Sequence, residues 1–217
     1  MLAIVAISHL YDRNDDVTFI RMLKEEGFEV TLISEERFCR GHASDEEAIE
    51  LLSGVSAIIA AGDRYPSTVI ESLPDLRLIA RLGVGFDTVD VTSATANDVV
   101  LTITPKSNHE AVAEHAIALL MTLAKSIVSR DKAMRAGKWA TQPLMSIRGA
   151  TLGIVGLGRI GCSLATRALA MKMKILAVEP FPNMDFVREN EIQLLDLESL
   201  LMKADYVSLH CPLSDKT

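Results

Sequence analysis

The residues best suited to do chemistry lie in two glycine-bearing segments. In the first, Gly156-Leu157-Gly158-Arg159-Ile160-Gly161 follows the apolar run Thr151–Val155 and leads into an Ala/Leu-rich stretch; a second apolar run, Lys174–Val178, ends at Glu179. Each glycine has a physical task in such an arrangement. Gly156 permits a tight strand-to-helix turn, Gly158 lets backbone approach a pyrophosphate, and Gly161 lets the helix lie close to the strand. The N-terminus of the following helix offers free N–H groups and the positive end of the helix dipole, so Arg159 and Ile160 would present backbone donors to the phosphates. A strand before, a helix after and an acid about 20 residues on is the context that turns this glycine pattern into a dinucleotide site. A carboxylate at 179 accepts ribose hydroxyls and repels a 2′-phosphate, and Pro180-Phe181 brings no arginine to receive one, so NAD is expected over NADP.

The second segment is Arg81-Leu82-Gly83-Val84-Gly85-Phe86-Asp87-Thr88-Val89-Asp90, after another apolar run. A G-x-G here can turn successive backbone N–H groups outward into a nest for a carboxylate; on its own it reads equally as a tight turn. The remaining candidates carry less. His115 falls inside a helical stretch and reads as packed, His210 as a structural residue beside the cofactor, and His9, His42 and His109 have no partner pattern. Asp87 and Asp90 read as helix caps, and Cys162 as a small packing residue. Cys39, Cys162 and Cys211 show no CxxC spacing, which suits a reducing cytoplasm better than a disulfide scaffold.

The elements that must position these residues alternate. Leu2–Ile7, Glu29–Ile33, Ala57–Ala61, Leu76–Ala80 and Val99–Ile103 read as strands, with helices at Val17–Glu26, Asp45–Leu52 and Pro66–Ser72, which gives a parallel α/β sheet. Asn108–Ala136 has neither Pro nor Gly and carries apolar residues at helical spacing, so it reads as one long helix ended by Gly137, suited to bridge two domains or form a dimer face. Gln142–Arg148 reads as loop, and a second βα series opens at Thr151 with strands at Thr151–Val155, Lys174–Val178 and Tyr206–Leu209 and a helix over Cys162–Met171. With three strands only, the first of them is expected to stand as an unpaired edge.

Of the 217 residues, 49% are hydrophobic, 24% charged and 5% aromatic, with a net charge of −7. This is the balance of a soluble globular chain with an aliphatic core, and the acidity argues against nucleic acid or an anionic membrane as partner. Residues 1–100 hold 8 Lys/Arg against 18 Asp/Glu, whereas residues 101–217 hold 14 against 11. The half with the glycine motif is thus the less acidic. No apolar run approaches the roughly 20 residues that span a bilayer.

Taken in order, RLGVGFDTVD, NHEAVAEHAIALL, GKW, GLGRIG, Glu179 and the terminal HCPLSDKT resemble the D-isomer-specific 2-hydroxyacid dehydrogenases, the family of phosphoglycerate, glyoxylate/hydroxypyruvate and D-lactate dehydrogenases. The resemblance implies two Rossmann-like, doubly wound domains, the second incomplete: a substrate-binding domain over 1–100 and an NAD-binding domain over 101–217. It implies backbone contacts from Val84 and Gly85 to a small 2-hydroxy or 2-oxo acid, with Val84 also near the nicotinamide. The cofactor residues would be Gly156, Gly158, Arg159, Ile160, Gly161 and Glu179, with Cys211 along the adenine side. It further implies a cytoplasmic homodimer through the helix 108–136, and an oxidoreductase acting on the CH–OH group of a D-2-hydroxy acid. The family's catalytic Arg, carboxylate and His are expected downstream of Thr217, so the chain is expected to be a truncated and inactive portion. A non-catalytic NAD-binding corepressor or scaffold of the same fold is the alternative. Ala60 stands where phosphoglycerate-type members often have Arg, with Arg64 a few residues on, which weakens the case for a phosphorylated substrate.

Overall fold

A computed structural model describes residues 4–8 and 18–213. The expectations for Leu2, Ala3, His9, Val17 and residues 214–217 lie outside the described residues. The chain divides into two compact units, Met1–Ser107 and Asn108–Thr217.

The first unit runs β1 (Ile4–Ser8), α1 (Thr18–Glu25), β2 (Glu29–Ile33), α2 (Glu36–Cys39), α3 (Asp45–Leu51), β3 (Ala57–Ala60), α4 (Ser67–Glu71), β4 (Leu78–Arg81), α5 (Val91–Ala96) and β5 (Val100–Thr102). Its five strands are all parallel in the order β2-β1-β3-β4-β5. The apolar runs become strands because both faces of such a sheet are covered; Ala6, Ile58, Ala60 and Ile79 are each at most 1% exposed. Punctuation follows local chemistry. Gly27 (φ +84°) ends the first helical stretch. Ser44 accepts from the Glu47 N–H while the Glu47 side chain returns to the Ser44 N–H, a complete capping box for α3. Asp90 caps α5 through the Ser93 N–H at 2.9 Å; Asp87 accepts from no helix N–H among the described residues. The division expected at residue 100 falls at the start of β5, and β5 pairs with β4, so the first unit extends to Ser107.

The second unit runs α6 (His109–Ala124), α7 (Ile127–Arg135), β6 (Thr151–Val155), α8 (Arg159–Ala170), β7 (Lys174–Val178), α9 (Met184–Glu189), β8 (Gln193–Leu194), α10 (Leu197–Lys203) and β9 (Tyr206–Leu209). Its parallel sheet has the order β8-β7-β6-β9. Two expectations are corrected here. The segment 108–136 is not one helix: Ser126 adopts φ +48°, and α6 and α7 meet at 59°. A residue in the left-handed region cannot continue a right-handed helix. Gly137 (φ +70°) ends α7 as expected. Nor is the first strand of the second series an edge: β6 pairs with β7 on one side and β9 on the other. The two-residue β8 is the third strand in sequence, so β9 crosses back beside β6 and is itself the edge.

Among the described residues no single helix is long and apolar enough to cross a membrane; α6 and α7 pass that test only as a bent pair.

Candidate functional site

In the second unit, the site grows out of the C-terminal end of β6. The Gly156 N–H donates to the Val178 carbonyl at 2.9 Å, the last tie between β6 and β7, and the chain then turns away at φ +98°. A β-carbon on Gly156 would lie 2.6 Å from the Cys211 nitrogen and 2.6 Å from the His210 carbonyl carbon. On Gly161 it would lie 2.2 Å from the Gly156 oxygen. Both positions therefore require glycine for space, and the first also for its φ. Gly158 differs: a β-carbon there meets nothing within 4 Å, so the space above the helix start is open.

α8 begins at Arg159, three residues before the expected start at Cys162, with Gly158 as its N-cap and no side chain capping it. Arg159 and Ile160 therefore occupy the first turn, where N–H groups lack intrahelical acceptors. An open, uncapped helix N-terminus of 12 residues behind a glycine turn fits a dinucleotide pyrophosphate.

Glu179, just beyond β7, is tied to this turn. Its Oε2 accepts from the Leu157 N–H at 2.9 Å and its Oε1 from the Phe181 N–H at 3.0 Å. The acid of the motif thus joins the glycine turn to the Pro180-Phe181 turn, a role the sequence did not reveal because both partners are backbone. The Phe181 ring beyond it is 91% exposed. Cys162 points back at the same turn, its thiol donating to the Leu157 carbonyl at 3.3 Å; burial, and next the Glu179 charge, push the thiol pKa up.

α8 is held from behind by α6. Ser163 Oγ donates to Glu110 Oε2 at 2.9 Å, Arg167 Nη2 to the same oxygen at 2.6 Å and to Glu114 Oε1 at 3.2 Å. The Arg167 and Ser163 hydrogen bonds hold the Glu110 carboxyl below its usual range, and Glu110 raises Arg167 in return. His109, expected without a partner, has Nε2 3.2 Å from Glu110 Oε1. His115 lines an apolar groove of about 380 Å³ between α6 and β9, together with Val112, Leu119, Leu123, Leu209 and His210. His210 Nε2 lies 2.8 Å from Ser208 Oγ, and burial lowers its pKa.

In the first unit, the Arg81–Asp90 loop leaves β4 at the C-terminal edge of the sheet. Gly83 sits at φ +142°, and the Val84 and Gly85 N–H groups make no hydrogen bond among the described residues. They are a pair of open donors, as a carboxylate nest requires. Behind the loop lies a pair the sequence did not reveal: Asp63 and Tyr65 are both 0% exposed, and the Tyr65 hydroxyl donates to Asp63 Oδ2. The Ala61 N–H donates to Asp63 Oδ1 at 2.8 Å. Burial, then the Asp63 charge, push the Tyr65 hydroxyl pKa well up. Tyr65 also brackets the loop through backbone, donating to Thr88 O at 2.8 Å and accepting from the Asp90 N–H at 2.9 Å. Among the described residues no group of three or more His, Cys, Asp or Glu could hold a metal.

Comparison with known proteins agrees with this geometry. Residues 117–217 match the family described as D-isomer specific 2-hydroxyacid dehydrogenase, NAD binding domain. A glyoxylate reductase of Korarchaeum cryptofilum is 38% identical over 200 residues, covering 89% of this chain and 59% of that protein. A D-3-phosphoglycerate dehydrogenase of Archaeoglobus fulgidus is 34% identical over 177 residues, covering 80% of this chain and 34% of the relative. The solved TT0316 protein of Thermus thermophilus superposes with a TM-score of 0.81 at 30% identity over 99% of this chain and 66% of its own. The chain spans about three-fifths or less of the curated relatives' lengths. With the glycine turn, its acid and the parallel sheets in place, the chain belongs to the D-isomer-specific 2-hydroxyacid dehydrogenases, and carries their NAD-binding domain from residue 117 to 217.

Proposed function

We propose that this chain is the cofactor- and substrate-holding part of an NAD-dependent D-2-hydroxyacid dehydrogenase that reduces a small 2-oxo acid. The observation that carries the reading is the Gly156–Gly161 turn bonded to Glu179 above an open helix N-terminus. In this reading the Arg159 and Ile160 N–H groups hold the pyrophosphate, and Glu179 faces the adenosine ribose. Its negative charge disfavours a 2′-phosphate, and Cys211 lies along the adenine side. The Val84 and Gly85 N–H groups hold the substrate carboxylate. Reduced nicotinamide, when bound, supplies a hydride for C2 of the 2-oxo acid. The proton for the carbonyl oxygen is assigned to the family's His, oriented with its Arg and carboxylate. A cytoplasmic homodimer assembled through 108–136 completes the proposal.

NADH and NADPH fluorescence titrations of the chain test it. Saturable binding of NADH at least about tenfold tighter than NADPH is expected, the effect of about 1.4 kcal/mol of repulsion between the part-buried Glu179 carboxylate and a 2′-phosphate. Absence of saturable binding, or equal affinities, overturns the reading.

A further inference from the structure

Whatever the Val84 and Gly85 donors bind, something must hold the backbone between β4 and Asp90 so that they stay open. Two side chains do this, and neither offers itself to a ligand through the atoms concerned. Thr104 lies just past β5. Its Oγ1 accepts from the Gly83 N–H at 2.8 Å, and its own N–H donates to the Gly83 carbonyl at 2.8 Å. Both polar groups of Gly83 are thereby consumed by one residue. Ser107 supports the hydroxyl from the other side, with Oγ 3.0 Å from Thr104 Oγ1 and a hydrogen bond to the Thr104 carbonyl at 2.9 Å. On the far flank Arg81 Nε donates to the Gly85 carbonyl at 3.0 Å. The Leu82 N–H is taken by the Ala60 carbonyl at 2.8 Å.

Gly83 needs this hold. At φ +142° it occupies backbone space that favours glycine, and glycine is also the residue with the most freedom to leave it. The Leu82 N–H, both polar groups of Gly83 and the Gly85 carbonyl are each satisfied inside the protein, and the N–H groups of Val84 and Gly85 are left outside that set. Arg81 adds a cation on the same stretch of backbone, and a charge near a set of aligned N–H dipoles strengthens their pull on an anion.

We propose that Thr104 and Arg81 are the positioning residues of the carboxylate nest: Thr104 fixes the entrance by clamping Gly83, and Arg81 fixes the exit by holding the Gly85 carbonyl and supplies positive charge. The ligand class is a small carboxylate, and the assignment rests on the proposed reading of Val84 and Gly85 as substrate contacts.

The test uses the whole chain, isotopically labelled, saturated with NADH and titrated with oxamate, a 2-oxo acid analogue that accepts no hydride. In the wild type the Val84 and Gly85 amide signals shift saturably. Thr104→Val keeps the volume and the backbone N–H but deletes the hydroxyl. It is expected to weaken oxamate about tenfold, the scale of one lost hydrogen bond, to lower the backbone NMR order parameters of Val84 and Gly85 in the ligand-free protein, and to leave NADH affinity unchanged. Thr104→Ser restores both. Arg81→Gln weakens oxamate and flattens the salt dependence of its binding, whereas Arg81→Lys keeps that salt dependence. A Thr104→Val protein with a lower melting temperature but wild-type oxamate affinity and wild-type order parameters at 84 and 85 overturns the positioning role, since the hydroxyl would then serve stability alone. If oxamate shifts neither amide in the wild type, the substrate reading fails. The order parameters still decide the positioning claim, because unchanged values at Val84 and Gly85 in Thr104→Val refute it without any ligand.

Discussion

Two buried polar groups show how much a single side chain can decide. Asp63 is fully enclosed and keeps two hydrogen bonds, from Ala61 N–H and the Tyr65 hydroxyl. Tyr65→Phe preserves the edge-on packing of the ring against Phe38, whose centroid is 6.4 Å away, and removes only the donor. Leaving a buried carboxylate short of a partner costs about 1–3 kcal/mol, so urea denaturation should register a loss of that size. A variant as stable as wild type would show that Asp63 finds another donor. His210 gives a pH dependence. Burial lowers its pKa, so the folded protein favours the neutral ring. The stability it contributes is complete above the unfolded imidazole value of about 6.5 and is lost as pH falls through that value toward the lower folded pKa. Melting temperatures between pH 7.5 and 5.5 should fall more steeply for wild type than for His210→Gln, and parallel curves would contradict this. The glycine turn was legible at this scale because each glycine has one steric task there, whereas the backbone hydrogen bonds of Glu179 were not. Thr104 was not, because its partner is backbone 21 residues away in the chain; Asp63 and Tyr65 were not, because nothing in so short a spacing marks the pair as buried.

Elements were legible where a periodic apolar run met a clear stop. Glu29–Ile33 and Lys174–Val178 follow this pattern, and so do the helices stopped by Gly27 and Gly137. Elements without such a signal were missed: the four-residue α2, the two-residue β8, and α9 and α10, whose caps Asn183 and Asp196 are visible in sequence only once the flanking strands are placed. The break between α6 and α7 is the instructive failure. Lys125-Ser126 holds neither Pro nor Gly, yet Ser126 sits at φ +48°. The bend is fixed from outside: Lys125 Nζ donates to the Met145 carbonyl at 2.7 Å, and Arg130 Nη1 to the Ala140 carbonyl at 3.0 Å. Tertiary contacts here override local helix preference. A left-handed serine costs about 1–2 kcal/mol that glycine avoids, less the extra entropy glycine loses on folding. Ser126→Gly should therefore raise stability by up to about 1 kcal/mol, and Ser126→Val should lower it. A destabilised glycine variant, measured by thermal denaturation, would mean that the bend is not strained.

At the scale of the molecule, the two units each enclose a core of their own, one around Leu52, Ile58 and Ile79, the other around Leu152, Ile154 and Leu164. The apolar surface they leave outside is uneven. In the second unit, among the described residues, β9 pairs only with β6, with Val207 45% and Leu209 69% exposed. The groove beside it is lined by Leu119 and Leu123 of α6, themselves exposed. An apolar strand with a free edge is a template for pairing with the same edge of a second copy. The helical segment proposed to make the dimer carries a different surface, with Ile127, Val128 and Met134 exposed and Trp139 just beyond. Each surface can close on two copies about a two-fold axis, and a chain that uses both has no closed stoichiometry. The two can therefore be separated in solution. Sedimentation of the 217-residue chain should show growth beyond dimer as concentration rises. Leu209→Lys, which places a charge on the edge, should abolish that growth and leave the helical dimer; Trp139→Ser should also stop the growth and leave the edge-paired dimer. If Leu209→Lys leaves the larger species untouched, their cause is the helical surface and not the strand, and the edge is inert despite its exposure.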